Sequence, residues 1–205
     1  MRITGGQWCG RTLLMPKSEE VRPTQDRVRE ALFNLLMPIL SQARFLDLFA
    51  GSGAVGLDAL SRGAAAVTFL ERDKAVFNTL GKNLKAFGVE GACAHNTDAL
   101  KWLGLATSPE TSSRKRPAFS TAPSLHSGQP YDIVFADPPY LWAHENGFSA
   151  IATALIERGL LAADGWFITE TDYRTDACEL PGYTLVRDRL YGKTRLAIYR
   201  RVPGN

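Results

Sequence analysis

The sequence predicts an α/β fold, a mostly parallel sheet with helices on both faces and an antiparallel hairpin at its end. Three observations carry this. Apolar bursts of strand length recur at Arg44–Phe49, Ala66–Leu70, Gly91–His95, Tyr131–Ala136 and Gly165–Thr169. Helical patterns lie between several of them, and strands alternating with helices build parallel sheets. The last stretch, "YTLVRDRLYGKTRLAIYRR", is two alternating runs that meet at Gly192 with no room for a helix, which predicts a hairpin.

Taken in order, "RPTQDRVREALFNLL" places Val28, Ala31, Leu32, Leu35 and Leu36 on one helical stripe. Thr24 is the expected N-cap, Asp26 suits the positive first turn, and Pro38 stands where the helix should stop. Val55–Arg62, Lys74–Phe87 and Ser149–Arg158 supply the other helices, the second with Val76, Phe77, Leu80, Leu84 and Phe87 on one side. Residues 108–130, rich in Ser, Thr and Pro and carrying Arg114-Lys115-Arg116, bury little and read as a long flexible surface excursion. The expected organisation is one domain over 1–205, with a basic extension at about 1–22 and a flexible insertion at about 106–130.

Composition narrows the class. With 45% hydrophobic and 22% charged residues the 205-residue chain is globular, not disordered. The opening "MRITGGQWCG" lacks the apolar region of a signal peptide, and the most apolar window, "ALFNLLMPIL", is broken by Asn34 and Pro38 and far too short to span a bilayer. Cys9, Cys93 and Cys178 form no C-x-x-C pair, so neither a zinc site nor a disulfide framework is expected, which fits a reducing cytoplasm. The net charge of +3 permits nucleic-acid binding without requiring it.

Two motifs carry chemistry. "LDLFAGSGAVG" holds Gly51, Gly53 and Gly56 between a strand and a helix, the context in which G-x-G-x-x-G marks a nucleoside-bearing cofactor. Glu71 stands 20 residues after Gly51, where an acid binds a ribose. The glycines alone do not choose between a dinucleotide and S-adenosyl-L-methionine. Asp47 does more, because its carboxylate near the loop would repel a pyrophosphate and attract an ammonium and a sulfonium. Asp98 adds an acceptor for an adenine amino group.

The second motif is "ADPPY", which follows the apolar run Ile133-Val134-Phe135. An exocyclic amine on a nucleobase is a poor nucleophile, since its lone pair is delocalised into the ring. Acceptors from the Asp137 side chain and the Pro138 carbonyl would draw its N–H bonds out of plane, and Tyr140 would stack on the base. No metal is needed. Upstream, Arg2, Arg11, Lys17, Arg22, Arg27 and Arg29 set six cations against four acids in the first forty residues. With Gly5-Gly6 and Trp8 they would form a basic hairpin that grips phosphates.

On these residues, together with "RITGGQWCGRTL", "FLERD" and "YGKTRLAIY", the chain resembles class I S-adenosylmethionine-dependent methyltransferases of the amino-directed type. It is most similar to the bacterial 16S ribosomal RNA guanine-N2 methyltransferase family. The resemblance implies a Rossmann-like, seven-stranded sheet and S-adenosyl-L-methionine as cofactor. Asp47, Gly51 and Gly53 would line its methionine half, Glu71 its ribose and Asp98 its adenine, with Phe49, Arg72 and Ala99 completing the cofactor contacts. Asp137, Pro138 and Tyr140 would act on the amine, while Pro139, Arg11, Arg22 and Arg27 would hold the RNA. It further implies a monomeric cytoplasmic enzyme acting on 16S rRNA in the assembling small subunit. Alternatives are an N6-adenine or N4-cytosine DNA methyltransferase, a glutamine-directed protein methyltransferase, a non-catalytic RNA-binding assembly factor and a dehydrogenase.

Overall fold

The computed structural model describes residues 1–16, 25–89, 92–105, 129–138 and 148–202. Seven strands form one sheet: β1 (Arg44–Asp47), β2 (Ala66–Glu71), β3 (Cys93–Asn96), β4 (Tyr131–Ala136), β5 (Leu161–Asp172), β6 (Tyr183–Tyr191) and β7 (Thr194–Arg201). Their order is β3-β2-β1-β4-β5-β7-β6. Strands β1 to β5 pair in parallel, and β7 runs antiparallel to both β5 and β6. The helices are α1 (Asp26–Leu40), α2 (Ala54–Ser61), α3 (Lys74–Ala86), α4 (Ala99–Trp102) and α5 (Ser149–Glu157).

Side chains alternate across the sheet, so the core has two halves. On one face Phe45, Phe69, Phe135 and Ile168 meet Leu32 of α1, Leu57 of α2 and Leu80 of α3. On the other, Leu46, Leu70, Val134 and Phe167 meet Ala99 of α4 and Ile151 and Leu155 of α5. Both faces of the central strands β1, β2 and β4 are covered, which is why their interiors are largely apolar, whereas the edge strand β3 is only partly buried.

The hairpin forms as expected, turning at Gly192 (φ 62°), with β7 inserted between β5 and β6. Leu196, Ala197, Ile198 and Tyr199 are buried on alternate sides, whereas β6 is largely exposed and takes the edge. Four expectations need correction. Pro38 lies inside α1 and does not end it. Asn34, whose carbonyl loses its donor, is exposed to water, while Leu36 and Leu40 bury the final turn, so burial outweighs one missing hydrogen bond. The N-cap is Gln25, without a side-chain bond, and Thr24 lies outside the described residues. Strand β1 stops at Asp47, two residues early, and β5 extends well beyond both ends of the apolar core Gly165–Thr169, because Leu161 pairs with Tyr131 of β4 at one end and β7 pairs through Asp172 at the other. Residues 108–128 of the expected excursion lie outside the described residues, as does Gly91.

The amino-terminal segment is docked on the fold. Ile3 and Leu13 are buried, and Arg2 bridges Thr12. Asp58 of α2 accepts from Thr4 N–H (2.7 Å), Thr4 Oγ1 (3.0 Å) and Arg29 Nε (2.7 Å). Arg29 also donates to Asp26 at 3.0 Å and to the Arg2 carbonyl. It is fully buried, so it is a structural cation and not part of a phosphate-gripping face. Among the described residues no helix is long and apolar enough to cross a membrane.

Candidate active site

The glycine loop opens where β1 stops hydrogen bonding regularly. Leu48 N–H donates to Phe135 on the β4 side (3.0 Å) and Ala50 N–H to Leu70 on the β2 side (2.8 Å), so the chain leaves the sheet between its neighbours. Gly51 (φ 54°) and Gly53 (φ 85°) take left-handed conformations that side chains resist. A Cβ on Gly53 would meet Leu80 at 2.5 Å, and one on Gly56 would meet the Phe69 ring at 2.2 Å. The third glycine therefore lets α2 press on β2. Gly53 supplies no capping side chain, which leaves the start of α2 open toward an electron-rich ligand.

Three carboxylates converge beside this loop. Asp47 is in register with Phe69 on β2 and Phe135 on β4. Two residues further along each neighbour stand Glu71 and Asp137, on the same side of the sheet. Glu71 is held by backbone amides: Oε2 accepts from Gly51 N–H (3.0 Å) and Oε1 from Asp73 N–H (2.7 Å). Burial pushes its pKa up, and those amides, Asp73 first, pull it down.

Asp47 differs. It is 1% exposed and neither oxygen has a hydrogen-bond partner among the described residues. Burial first, then the charge of Asp137, and to a lesser degree Glu71, push its carboxyl up to about 7. The amides of Gly56 and Phe49 oppose the rise from nearby without completing a hydrogen bond. An unsatisfied buried carboxylate is costly. A ligand cation would satisfy it, so the site fits a cofactor with a positively charged end.

The remaining expected cofactor residues lie along the ends of β2 and β3. Asn96 donates to the carbonyls of Glu71 (2.9 Å) and Arg72 (3.0 Å), and Thr97 N–H to Glu71 (3.0 Å), which fastens residues 96–98 beside Glu71. Asp98 caps α4 by accepting from Lys101 N–H at 3.0 Å, leaving its second oxygen for another donor. Ala99 is buried, Phe49 half-buried and Arg72 exposed.

At the end of β4, Pro138 is buried and Asp137 half-buried within electrostatic reach of Asp47. Pro139, Tyr140 and Arg22 lie outside the described residues. Arg11 is docked rather than loose: it donates to the Ala86 carbonyl (2.6 Å) and lies 4.1 Å over the Phe87 ring. Arg27 is exposed on α1.

Asn83 was not foreseen. It is 1% exposed, accepts from Leu14 N–H (2.9 Å) and donates to the Leu14 (3.0 Å) and Ser52 (2.8 Å) carbonyls. One amide thus ties the amino-terminal segment to the glycine loop. The available signal was a polar residue between Leu80 and Leu84 in an otherwise apolar stripe. Among the described residues no cluster of three His, Cys, Asp or Glu is arranged to hold a metal.

Comparison with known proteins gives the family and the fold. Residues 1–200 match the family described as conserved hypothetical protein 95. Ribosomal RNA small subunit methyltransferase D of Escherichia coli K12 is 37% identical over 203 residues, covering 98% of this chain and 90% of that protein. The Haemophilus influenzae protein of the same name is also 37% identical, covering 98% and 93%. The solved structure of yhhF from Escherichia coli superposes with a TM-score of 0.78 at 36% identity, covering 100% and 99%. An RNA methyltransferase from Salinibacter ruber in complex with S-adenosyl-L-homocysteine shares the fold, with a TM-score of 0.58 at 12% identity, covering 90% and 96%.

Proposed function

This chain belongs to the conserved hypothetical protein 95 family and to that of ribosomal RNA small subunit methyltransferase D, and we propose that it methylates the exocyclic N2 of a guanine in 16S rRNA. The substrate is the small ribosomal subunit or its assembly intermediate, and the enzyme acts as a monomer. S-Adenosyl-L-methionine, when bound, supplies the methyl group. The observation that carries the reading is the pairing of an unsatisfied buried Asp47 with Asp137 and Pro138 at the end of the adjacent strand.

Asp47 balances the positive end of the cofactor, Gly51 and Gly53 let backbone approach it, and Glu71 takes the ribose hydroxyls with lone pairs its amide bonds leave over. Phe49, Arg72, Asp98 and Ala99 bound the adenosine half. The Asp137 carboxylate and Pro138 carbonyl accept the two N–H bonds of the guanine amine, which pyramidalises the nitrogen and stabilises the positive charge it gains. Tyr140 stacks on the base, and Pro139, Arg11, Arg22 and Arg27 contact the RNA. The methylated nitrogen then sheds its proton readily, so no strong base is needed. Rate enhancement comes from proximity and alignment.

Incubation with labelled cofactor and small-subunit particles from a strain lacking the modification should give N2-methylguanine in the digested RNA. Label in adenine or cytosine, or in duplex DNA alone, would overturn the assignment. Asp137→Ala should lower kcat by about 10²–10³-fold with little change in S-adenosylhomocysteine affinity. Glu71→Ala should do the reverse, and equal effects of both variants on both measurements would mean these roles are misassigned.

A further inference from the structure

The carboxy-terminal hairpin separates its charges by face. Residues directly opposed across an antiparallel ladder project to the same side. Arg187 is opposite Ile198, Arg189 opposite Leu196, and Arg200 stands between Thr184 and Trp166 in the same alternation. All three arginines therefore share the face on which α1, α2 and α3 lie. Asp188, opposite Ala197, and Arg195, opposite Leu190, fall on the other face.

On that second face the cations are used up within the fold. Arg195 is held between Asp176 (2.9 Å) and Asp188 (2.8 Å), and Arg201 donates to the Leu161 carbonyl. On the hairpin's α1 face none is: among the described residues Arg187 bonds only the Val186 carbonyl (2.8 Å) and Arg189 only the Asp188 carbonyl (2.9 Å). Among the described residues no carboxylate lies within ion-pair distance of Arg187, Arg189 or Arg200, and all three are exposed.

The stripe also has a direction. Arg200 is level with Trp166, near the amino end of the parallel strands. Arg189 is level with Leu196 and so with Glu170, one residue past the Ala136–Thr169 pair, at the height of Asp137. Arg187 and Arg189 are two residues, roughly 7 Å, apart along the strand. Three like charges on one open face repel one another unless a polyanion lies across them.

We propose that Arg187, Arg189 and Arg200 form a phosphate track for the backbone of the RNA substrate, leading along the sheet edge to the catalytic corner. This rests on the RNA-methylation reading above. The track contributes position and affinity, not base recognition.

The test uses the full chain with Arg187→Gln, Arg189→Gln and Arg200→Gln combined. A charge-matched control carries Lys82→Gln, Lys85→Gln and Lys101→Gln, three cations exposed elsewhere. Binding to 16S rRNA is measured at several salt concentrations, beside kcat, KM and S-adenosylhomocysteine affinity. The arginine variant should bind about tenfold to a hundredfold more weakly at ~0.1 M salt, with the salt slope lower by about 2–3. Its KM should rise in parallel while kcat and cofactor affinity hold, and the control should change far less. An unchanged salt slope, an equal effect in the control, or lost activity with the slope retained would overturn the track, the last pointing to a protein contact instead. If the parent enzyme binds RNA but gives no methylguanine, the guanine reading fails while the salt comparison still judges the track.

Discussion

Asp47 and Asp58 stand eleven residues apart on either side of the glycine loop, 1% and 0% exposed, yet their surroundings are opposite. Asp58 accepts from the Thr4 amide and hydroxyl and from Arg29, with Arg62 at 4.0 Å. It gathers the amino-terminal segment, α1 and α2 around one charge. Asp47 gathers far less: among the described residues neither oxygen completes a hydrogen bond, only the Gly56 and Phe49 amides act on it from nearby, and the charges that shift it are acids. The first is a structural acid, satisfied by the chain itself. The second is held unsatisfied at the mouth of a cofactor loop, and its cost is offset by the surrounding core until a cation arrives.

Breaking each acid should therefore have effects of opposite sign on stability. Asp58→Ala takes from Arg29 its buried counter-charge, leaving only the partly exposed Asp26, and should destabilise by about 3–5 kcal/mol, measured by urea unfolding. Asp47→Asn should stabilise the ligand-free protein above pH 7, by up to about 4 kcal/mol. The sign follows from linkage. With a folded pKa of about 7 against an ordinary value of 3.8, the folded state keeps a proton that the unfolded state has lost across that window. Stability therefore falls as pH rises from about 4 to 7, and asparagine removes the slope. The same variant should lose about tenfold to a hundredfold in cofactor affinity. Destabilisation by both variants at pH 8 would show that Asp47 is structural after all.

The same contrast explains what the sequence disclosed. The glycine loop, Glu71 and Asp137 were legible because their chemistry is local: a strand end, a tight turn and an acid at fixed spacing. So was the hairpin, from alternation alone. Arg29 was misread as part of a phosphate-gripping basic segment because its partner, Asp58, lies 29 residues away and only α1 packing on α2 brings the two together. Asn83 was hidden for the same reason, since it bridges Leu14 and Ser52 across 69 and 31 residues. Pro38 misled in the other direction. Its local rule was sound, and burial of Leu40 overrode it.

Asn83 joins the two regions, and removing it should sharpen the comparison. Asn83→Ala strips partners from the Leu14 amide and carbonyl, which are partly buried, and from the buried Ser52 carbonyl, so a loss of about 2–3 kcal/mol is expected. Because Ser52 belongs to the glycine loop, S-adenosylhomocysteine affinity should fall along with stability. Asp58→Ala, measured under conditions where it stays folded, should leave that affinity nearly intact. Equal losses of cofactor affinity in both would mean the two regions are not separable.

The smallest expected effect is also the most direct reading of Asp47. A cofactor with an ammonium and a sulfonium binds the ionised carboxylate, so below the folded pKa of about 7 binding must first remove a proton. Affinity should then fall about tenfold, or ~1.4 kcal/mol, for each pH unit below 7 and level off above it. Calorimetry at pH 6 in buffers of different ionisation enthalpy should detect close to one proton released per cofactor bound. Asn at position 47 should release none. A parent protein that binds with no proton release, and with flat affinity from pH 5.5 to 7.5, would place the positive end of the cofactor away from this carboxylate and move the donor site off the end of β1.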